Sequence, residues 1–398
     1  MGTIAGIGRS EARDPTAAGN EAASRACAGW GGACPALCLV FATSGYDAAK
    51  VLAGVASVAG GAAISGCSGE GIIAGPVSDE SEHAVAVLAI RSDTLGFETF
   101  LIEGYAEDPR AAGARLGAEV RAAARGDEFG LLVFPDGLLG NCTEFLAALV
   151  AAIPAGLRVA GGTAADALLL ERTWQYHGTT AASGAVAAVL LRGRARLEIA
   201  VSHGCSAIGL ERTITRAEGG WLHEIDGRPA WAVFKEYLDG DPQDLHVEGI
   251  PRICIGQPLP ADAARDYEPF IIRAPLDLDR ETGALFFPGG GLTTGAAVRL
   301  TRRDPIRVRG SAEACAERIR RRSSAAGPVC VLQFDCAGRG RVLFGSGAAE
   351  EIVAPLQQVL GRNTPWIGFH TYGEIAPIGA RTYYHNYTVA LCAVFEDD

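Results

Sequence analysis

Long apolar runs are missing from this 398-residue chain, and with them any segment able to cross a bilayer as a helix. Stretches such as Ala84–Ile90 and Ala185–Leu191 are short and end in charge, well under the ~20 residues that a span requires. The first residues do not run from a cationic start through an apolar core to a small-residue cleavage site. No signal peptide is therefore expected, and the chain reads as cytoplasmic. Positive charge is in deficit: the formal net charge is −11 and the isoelectric point about 5.2. Neither a nucleic acid nor an anionic membrane is an expected partner, because either needs a basic face. Ordered cysteine spacing is absent as well. The 11 cysteines form no CxxC pair, no CxxCH and no zinc-finger pattern. They read as reduced thiols packed as small apolar residues, Cys34 and Cys38 on either side of Pro35 included. The glycines at Gly289–Gly291 are followed by Leu292-Thr293-Thr294-Gly295, which lacks the lysine of a phosphate loop and reads as a connection between strands.

What remains is ample material for a folded core. Hydrophobic residues make up 48% and charged residues 20% of the chain, proportions of a globular protein. At this length one core stops growing, so two lobes are the expectation. Asp14-Pro15 opens an Ala-rich helix, and Ala36–Ala42 is a continuous apolar run of the kind buried on both faces of a sheet. Further strands are expected at Ala62–Ser65, His83–Ile90, Gly130–Phe134 and Leu157–Ala160, with helices at Tyr46–Ala59, Ala111–Arg125 and Cys142–Ala152 between them. From Gly184 the strands crowd together, which implies antiparallel additions. Asp226-Gly227-Arg228-Pro229 marks the boundary, giving lobes 1–226 and 227–398. The fold class expected is α/β, two-lobed, with layered mixed sheets and helices and the lobes related by pseudo-symmetry. Arginines at the end of the segment Glu317–Arg322 suit a helix C-terminus and read as a solvated helix end rather than a phosphate site.

Two segments repeat a pattern. Ser65–Gly75 reads SGCSGEGIIAG and Gly368–Gly379 reads GFHTYGEIAPIG; a weaker echo, VAGGTAAD, covers Val159–Asp166 with Asp in place of Glu. In each, an apolar strand ends in glycine and turns sharply before a carboxylate. Glycine lets the backbone approach a ligand, turn N–H groups hold an anion, and the carboxylate holds a cation. That combination suits a zwitterion such as an amino acid in a cleft between the lobes. The plainer reading is that each glutamate only caps a neighbouring turn.

The order of these motifs resembles the FIST family of bacterial intracellular sensory proteins. The matching stretches are Ala36–Ala42 with Tyr46-Asp47, Gly66-Cys67-Ser68-Gly69-Glu70, Pro135-Asp136-Gly137, Gly161–Asp166, His203–Gly209, Phe334–Arg339, Gly368–Ile375 and Tyr384–Thr388. The resemblance implies a FIST N-like lobe followed by a FIST C-like lobe and a sensor of small molecules. It also raises haem, since a subset of such proteins bind haem and sense nitric oxide. No kinase, cyclase or receiver segment is present, so signalling implies a separate partner protein.

The candidate ligand-binding residues are Cys67, Ser68, Gly69, Glu70, Gly162, Thr163, Arg339, Tyr372, Gly373 and Glu374. Arg339 is a partner for a ligand carboxylate or for Glu374. No cofactor is required by the motifs; if haem binds, His370 and His385 are the candidate axial ligands, with Phe369, Tyr372, Tyr383 and Tyr384 as pocket walls. His203-Gly204-Cys205 offers a further ligand pair. A third reading is an enzyme that uses Cys67 as nucleophile or Glu70 and Glu374 as acid and base, although no histidine partner accompanies Cys67 in sequence.

Overall fold

A computed structural model describes residues 2–238, 253–260, 263, 267–323 and 327–397. The expected α/β layering is present, and the internal repetition goes further than the two elbows suggest: one unit occurs three times. The first comprises β1 (Ile4–Ser10), α1 (Pro15–Ala26), β2 (Leu37–Thr43), α2 (Ala48–Ala59), β3 (Ala63–Gly69), the hairpin β4 (Ile72–Ala74) and β5 (Val77–Asp79), and β6 (Val85–Arg91). The second repeats this order with β7 (Leu95–Ile102), α3 (Pro109–Ala123), β8 (Glu128–Pro135), α4 (Cys142–Ala152), β9 (Val159–Gly162), hairpin β10 (Gln175–His177) and β11 (Thr180–Ala182), and β12 (Val186–Gly193). The third opens with β13 (Ala195–Ser202). A β-rich insertion follows, from β14 (Ser206–Glu218) to β21 (Ala297–Arg302), with the short α5 (Ala230–Lys235) inside it. The unit then resumes with α6 (Pro305–Arg321), β22 (Cys330–Cys336), the short helices α7 (Arg341–Phe344), α8 (Ala348–Ile352) and α9 (Ala354–Leu360), β23 (Trp366–Thr371), hairpin β24 (Glu374–Ile378) and β25 (Arg381–His385), and β26 (Val389–Glu396).

Local chemistry repeats with the units. Asp14, Asp108 and Asp304 each cap the first helix of a unit, accepting the N–H of Ala17 at 2.7 Å, Ala111 at 2.8 Å and Arg307 at 3.1 Å, and each is followed by proline at the first helical position. The three sheets run β1-β6-β2-β3, β7-β12-β8-β9 and β13-β26-β22-β23, and each is completed by a hairpin taken from another unit. Hairpin β10–β11 joins β3, β24–β25 joins β9, and β4–β5 joins β23. The units therefore lock in a closed cycle, and two of the three sheets contain strands from both sides of residue 226.

The inner sheet faces share one core, and the outer faces carry the helices. Phe41, Phe134 and Phe334 occupy the same place in β2, β8 and β22, one residue beyond the position paired with the glycine of the neighbouring parallel strand. Their rings meet in the middle: Phe41 and Phe134 at 5.5 Å, Phe134 and Phe334 at 6.1 Å, with Phe369 4.6 Å from Phe41. The centre is thus packed with aromatic side chains, and truncating one to alanine costs about 3–5 kcal/mol. The paired glycines Gly66, Gly161 and Gly368 permit this packing. A Cβ on any of them would lie 1.9 Å from the carbonyl oxygen of Val40, Val133 or Gln333. No described helix is long and apolar enough to cross a membrane.

Candidate functional site

Strands β3, β9 and β23 each run off the central core into an elbow, and the three elbows bond to one another. Glu70 N–H donates to the His370 carbonyl at 2.9 Å, Thr163 N–H to the Gly373 carbonyl at 2.8 Å, and Ala165 N–H to the Ser68 carbonyl at 3.0 Å. Side chains pin the junction. Ser68 Oγ donates to the Ala165 carbonyl at 2.7 Å and accepts Trp174 N–H at 3.0 Å; Thr371 Oγ1 donates to the Thr163 carbonyl at 2.6 Å. Thus Ser68, Gly69, Glu70, Gly162, Thr163, Tyr372, Gly373 and Glu374, far apart in sequence, come together at one end of the core.

Around this junction lies an unusual density of buried charge. Arg339 and Asp335 are both 0% exposed and paired, Nε to Oδ1 at 2.7 Å. Gln333 Nε2 donates to the other oxygen of Asp335 at 2.8 Å, and Trp366 Nε1 donates to Gln333 Oε1 at 2.9 Å, so the aspartate is firmly held. Both terminal nitrogens of Arg339, however, have no protein partner. Glu374, also fully buried, accepts the N–H and hydroxyl of Thr388 on Oε2 at 3.0 and 2.6 Å, while Oε1 has no protein partner. Burial, opposed in part by the Thr388 bonds and by Arg339, pushes its pKa from 4.5 up to about 8. A buried group left unsatisfied costs about 1–3 kcal/mol, and more if charged, so such groups at one place call for a bound partner.

Glu70 belongs to a neighbouring group. It is 5% exposed, with Oε2 unpartnered, and burial together with repulsion from Glu80 raises its pKa to about 7. Tyr372 Oη donates to Asp166 Oδ1 at 2.6 Å and accepts Leu168 N–H at 2.9 Å. Asp166 also accepts the N–H groups of Leu170, Glu171 and Arg172 at 3.1, 2.7 and 2.8 Å, tying down a loop in which Ala167, Leu168 and Leu170 all adopt positive φ. A pocket of about 70 Å³ opens beside this loop, against Leu168, Ala337, Gly338, Tyr372, Asn386 and Tyr387. It borders the segments that lead into Arg339 and into Glu374, and its own walls are mainly apolar.

Other expectations are corrected by burial. Cys67 is fully buried in the central core and its thiol pKa is pushed well above 9.0 by desolvation, so it does not suit a nucleophile. Haem is not accommodated by the histidines. His385 is 0% exposed, Nε2 bonds the Ala376 carbonyl at 3.0 Å, and burial drives its pKa down to about 3. His370 is likewise 0% exposed, with Nε2 2.8 Å from Ser78 Oγ, and it is packed so closely that a Cβ on Gly340 would lie 2.9 Å from its ring. Both rings are thus enclosed by protein, with Nδ1 of His370 left without a protein partner. His203 and Cys205 are internal as well: Cys205 N–H donates to His203 Nδ1 at 2.8 Å and His203 Nε2 bonds the Phe270 carbonyl at 3.1 Å; burial lowers the imidazole pKa, but Cys205 and Glu268 outweigh burial and raise it. Among the described residues no three His, Cys, Asp or Glu side chains converge to hold a metal ion.

Sequence reasoning passed over Asp335, Gln333, Asp166, Glu80 and Thr388 as site residues. A signal existed for two of them: Asp335 stands four residues before Arg339, and Asp166 occupies the carboxylate position of the third echo.

Curated relatives of similar length exist. An uncharacterized protein of Mycobacterium tuberculosis, Rv0628c, is 29% identical over 398 residues, covering 98% of this chain and 99% of its own. Another from Mycobacterium bovis, Mb0898c, is 29% identical over 411 residues, covering 99% of each. Among solved structures, a cyanuric acid hydrolase described as an evolutionary innovation by structural concatenation aligns over 100% of both chains at 10% identity and a TM-score of 0.37. A second, the cyanuric acid hydrolase of A. caulinodans, covers 48% of this chain and 71% of its own at 12% identity and a TM-score of 0.27. Likenesses this low bear on neither the fold nor the chemistry of this chain. The FIST N domain matches residues 36–228 and the FIST C domain residues 230–377, which together take in most of the chain. The chain belongs to the FIST family of sensory, ligand-binding domains.

Proposed function

We propose that this protein is an intracellular sensor of a small amino-acid-like molecule, bound at the junction of the three elbows. The observation that carries the proposal is the pairing of two fully buried, incompletely satisfied side chains. Arg339 has both terminal nitrogens free of protein partners, and Glu374 has one free carboxylate oxygen. A planar guanidinium with two open N–H edges is matched to a ligand carboxylate. The open oxygen of Glu374 is matched to a ligand ammonium, whose arrival favours the ionised carboxylate. The pocket beside Leu168 and Tyr372 gives the route in, and the loop held by Asp166 is the element that admits or encloses the ligand. A change in that loop is then read by a separate signalling protein.

The test is thermal unfolding of the native protein, Arg339→Gln and Glu374→Gln in the presence of each standard amino acid. A ligand that raises the native Tm and fails to raise that of either variant supports the site. A ligand that stabilises all three proteins equally, or none that stabilises the native protein, rejects it.

A further inference from the structure

The described residues form a second pocket, of about 120 Å³, whose lining shares no residue with the elbow pocket. Its floor is Ile199–Val201 of β13, one wall is the Pro377–Gly379 end of hairpin β24–β25, and the charged lining is three arginines, Arg158, Arg318 and Arg322. Sequence alone reads the last two as cations at a helix end. The fold adds Arg158, from the segment before β9, and turns all three onto one concavity.

Among the described residues no carboxylate lines this pocket. Arg158 and Arg322 approach Glu198 only to 3.8 and 3.7 Å, and Arg196 also approaches it to 3.8 Å. Those separations exceed hydrogen-bond reach, so one carboxylate is shared loosely among three guanidinium groups. The firm bonds of the lining arginines go to carbonyl oxygens: Arg318 to Val201 at 2.7 Å and Arg158 to Leu197 at 3.2 Å. Such bonds orient the side chains, and the shared Glu198 compensates only part of their charge. In a chain of net charge −11, three arginines around one concavity form a local positive feature. Guanidinium groups presented from different elements at one point are suited to a tetrahedral oxyanion, which accepts several N–H bonds at once.

We infer that the Arg158–Arg318–Arg322 pocket binds the phosphate group of a small phosphorylated molecule. This is a site separate from the elbow junction, although the hairpin end that walls it belongs to the strand that begins at Glu374.

Isothermal titration calorimetry with inorganic phosphate tests the inference on the full chain, at low and at raised sodium chloride. Expected are saturable binding to the native protein and a Kd weakened by about tenfold or more in Arg322→Gln and in Arg158→Gln, as befits loss of a charge-assisted bond. Salt should weaken the native interaction. Circular dichroism and melting temperature confirm that the variants fold, and Arg280→Gln, in the exposed turn of the insertion, serves as a charge-matched control with native affinity. Sedimentation with phosphatidylcholine vesicles doped with phosphatidic acid separates the sources. Arginine-dependent capture by vesicles assigns the phosphate to a lipid headgroup, and arginine-dependent binding of free phosphate alone assigns it to a soluble metabolite. Absence of saturable binding in both arms, or equal affinity in the native protein and both lining variants, overturns the proposal.

Discussion

Replacing Glu374 with glutamine should change how stability depends on pH, by an amount that follows from burial. In the folded protein its pKa lies near 8, against 4.5 ordinarily, a difference of about 3.5 pH units. The folded state therefore binds a proton that the unfolded state has released throughout that window. The contribution to stability is fully present below about pH 4.5 and is lost as pH rises through about 8, at a slope of up to ~1.4 kcal/mol per pH unit. Across the window this amounts to about 5 kcal/mol. Glu70, raised from 4.5 to about 7, adds a second slope of the same sign that ends earlier. Between about pH 7 and 8 the falling stability thus belongs chiefly to Glu374. Glutamine retains the acceptor that meets Thr388 and presents a neutral N–H₂ where the open oxygen stood. The assay is urea unfolding of native protein and Glu374→Gln at intervals from about pH 5 to 9, without ligand. The variant should equal or fall short of the native protein in acid and exceed it in base, and its curve should be flatter between about pH 7 and 8. Parallel curves for the two proteins would refute the reasoning, since they would mean that Arg339 keeps Glu374 ionised despite its burial.

Arg339→Met should destabilise the protein by about 3–5 kcal/mol in urea unfolding, because Asp335 is left as a buried unpaired charge; adding Asp335→Asn should recover part of that loss. Tyr372→Phe removes the bonds to Asp166 and from Leu168, at a cost of roughly 1–3 kcal/mol, and should speed limited proteolysis within residues 166–172. In the native protein a thiol reagent should label the exposed Cys34 first and reach Cys67 only on unfolding; early labelling of Cys67 would contradict its place in the core. If the ligand carries an ammonium to Glu374, binding near neutral pH should release a proton, seen as a titration heat that varies with the ionisation enthalpy of the buffer.

Much of the local architecture was written in the chain itself, because it depends on neighbours in sequence. The apolar run read at Ala36–Ala42 forms β2 with a one-residue offset (Leu37–Thr43), the helix read at Cys142–Ala152 is α4, and Asp14-Pro15 caps and starts α1. The same Asp-Pro signal recurs at Asp108-Pro109 and Asp304-Pro305, and with the VAGGTAAD echo it carries the mark of a third unit that the two-lobe reading passed over. β1, β7 and the strands of all three hairpins escaped the sequence; those of β4–β5 and β10–β11 are three residues each, too short to show any periodicity. Those hairpins are what close the cycle, since each pairs with a strand of another unit.

The elbow glycines and their carboxylates were legible for a local reason: only glycine permits the backbone approach at Gly66, Gly161 and Gly368, so the turn leaves its mark on the residues that make it. The tertiary structure alone decided what those elbows can do. Pairing of β22 with β23 sets Asp335 and Arg339 beside the third elbow, and close packing removes water from Glu374 and from the Arg339 terminal nitrogens. The same packing withdraws Cys67 and His385 from chemistry. Charge and residue type are properties of the sequence; desolvation depends on every segment packed around a group, and among equally buried groups it is the atoms left without partners that separate Arg339 and Glu374 from Cys67 and His385.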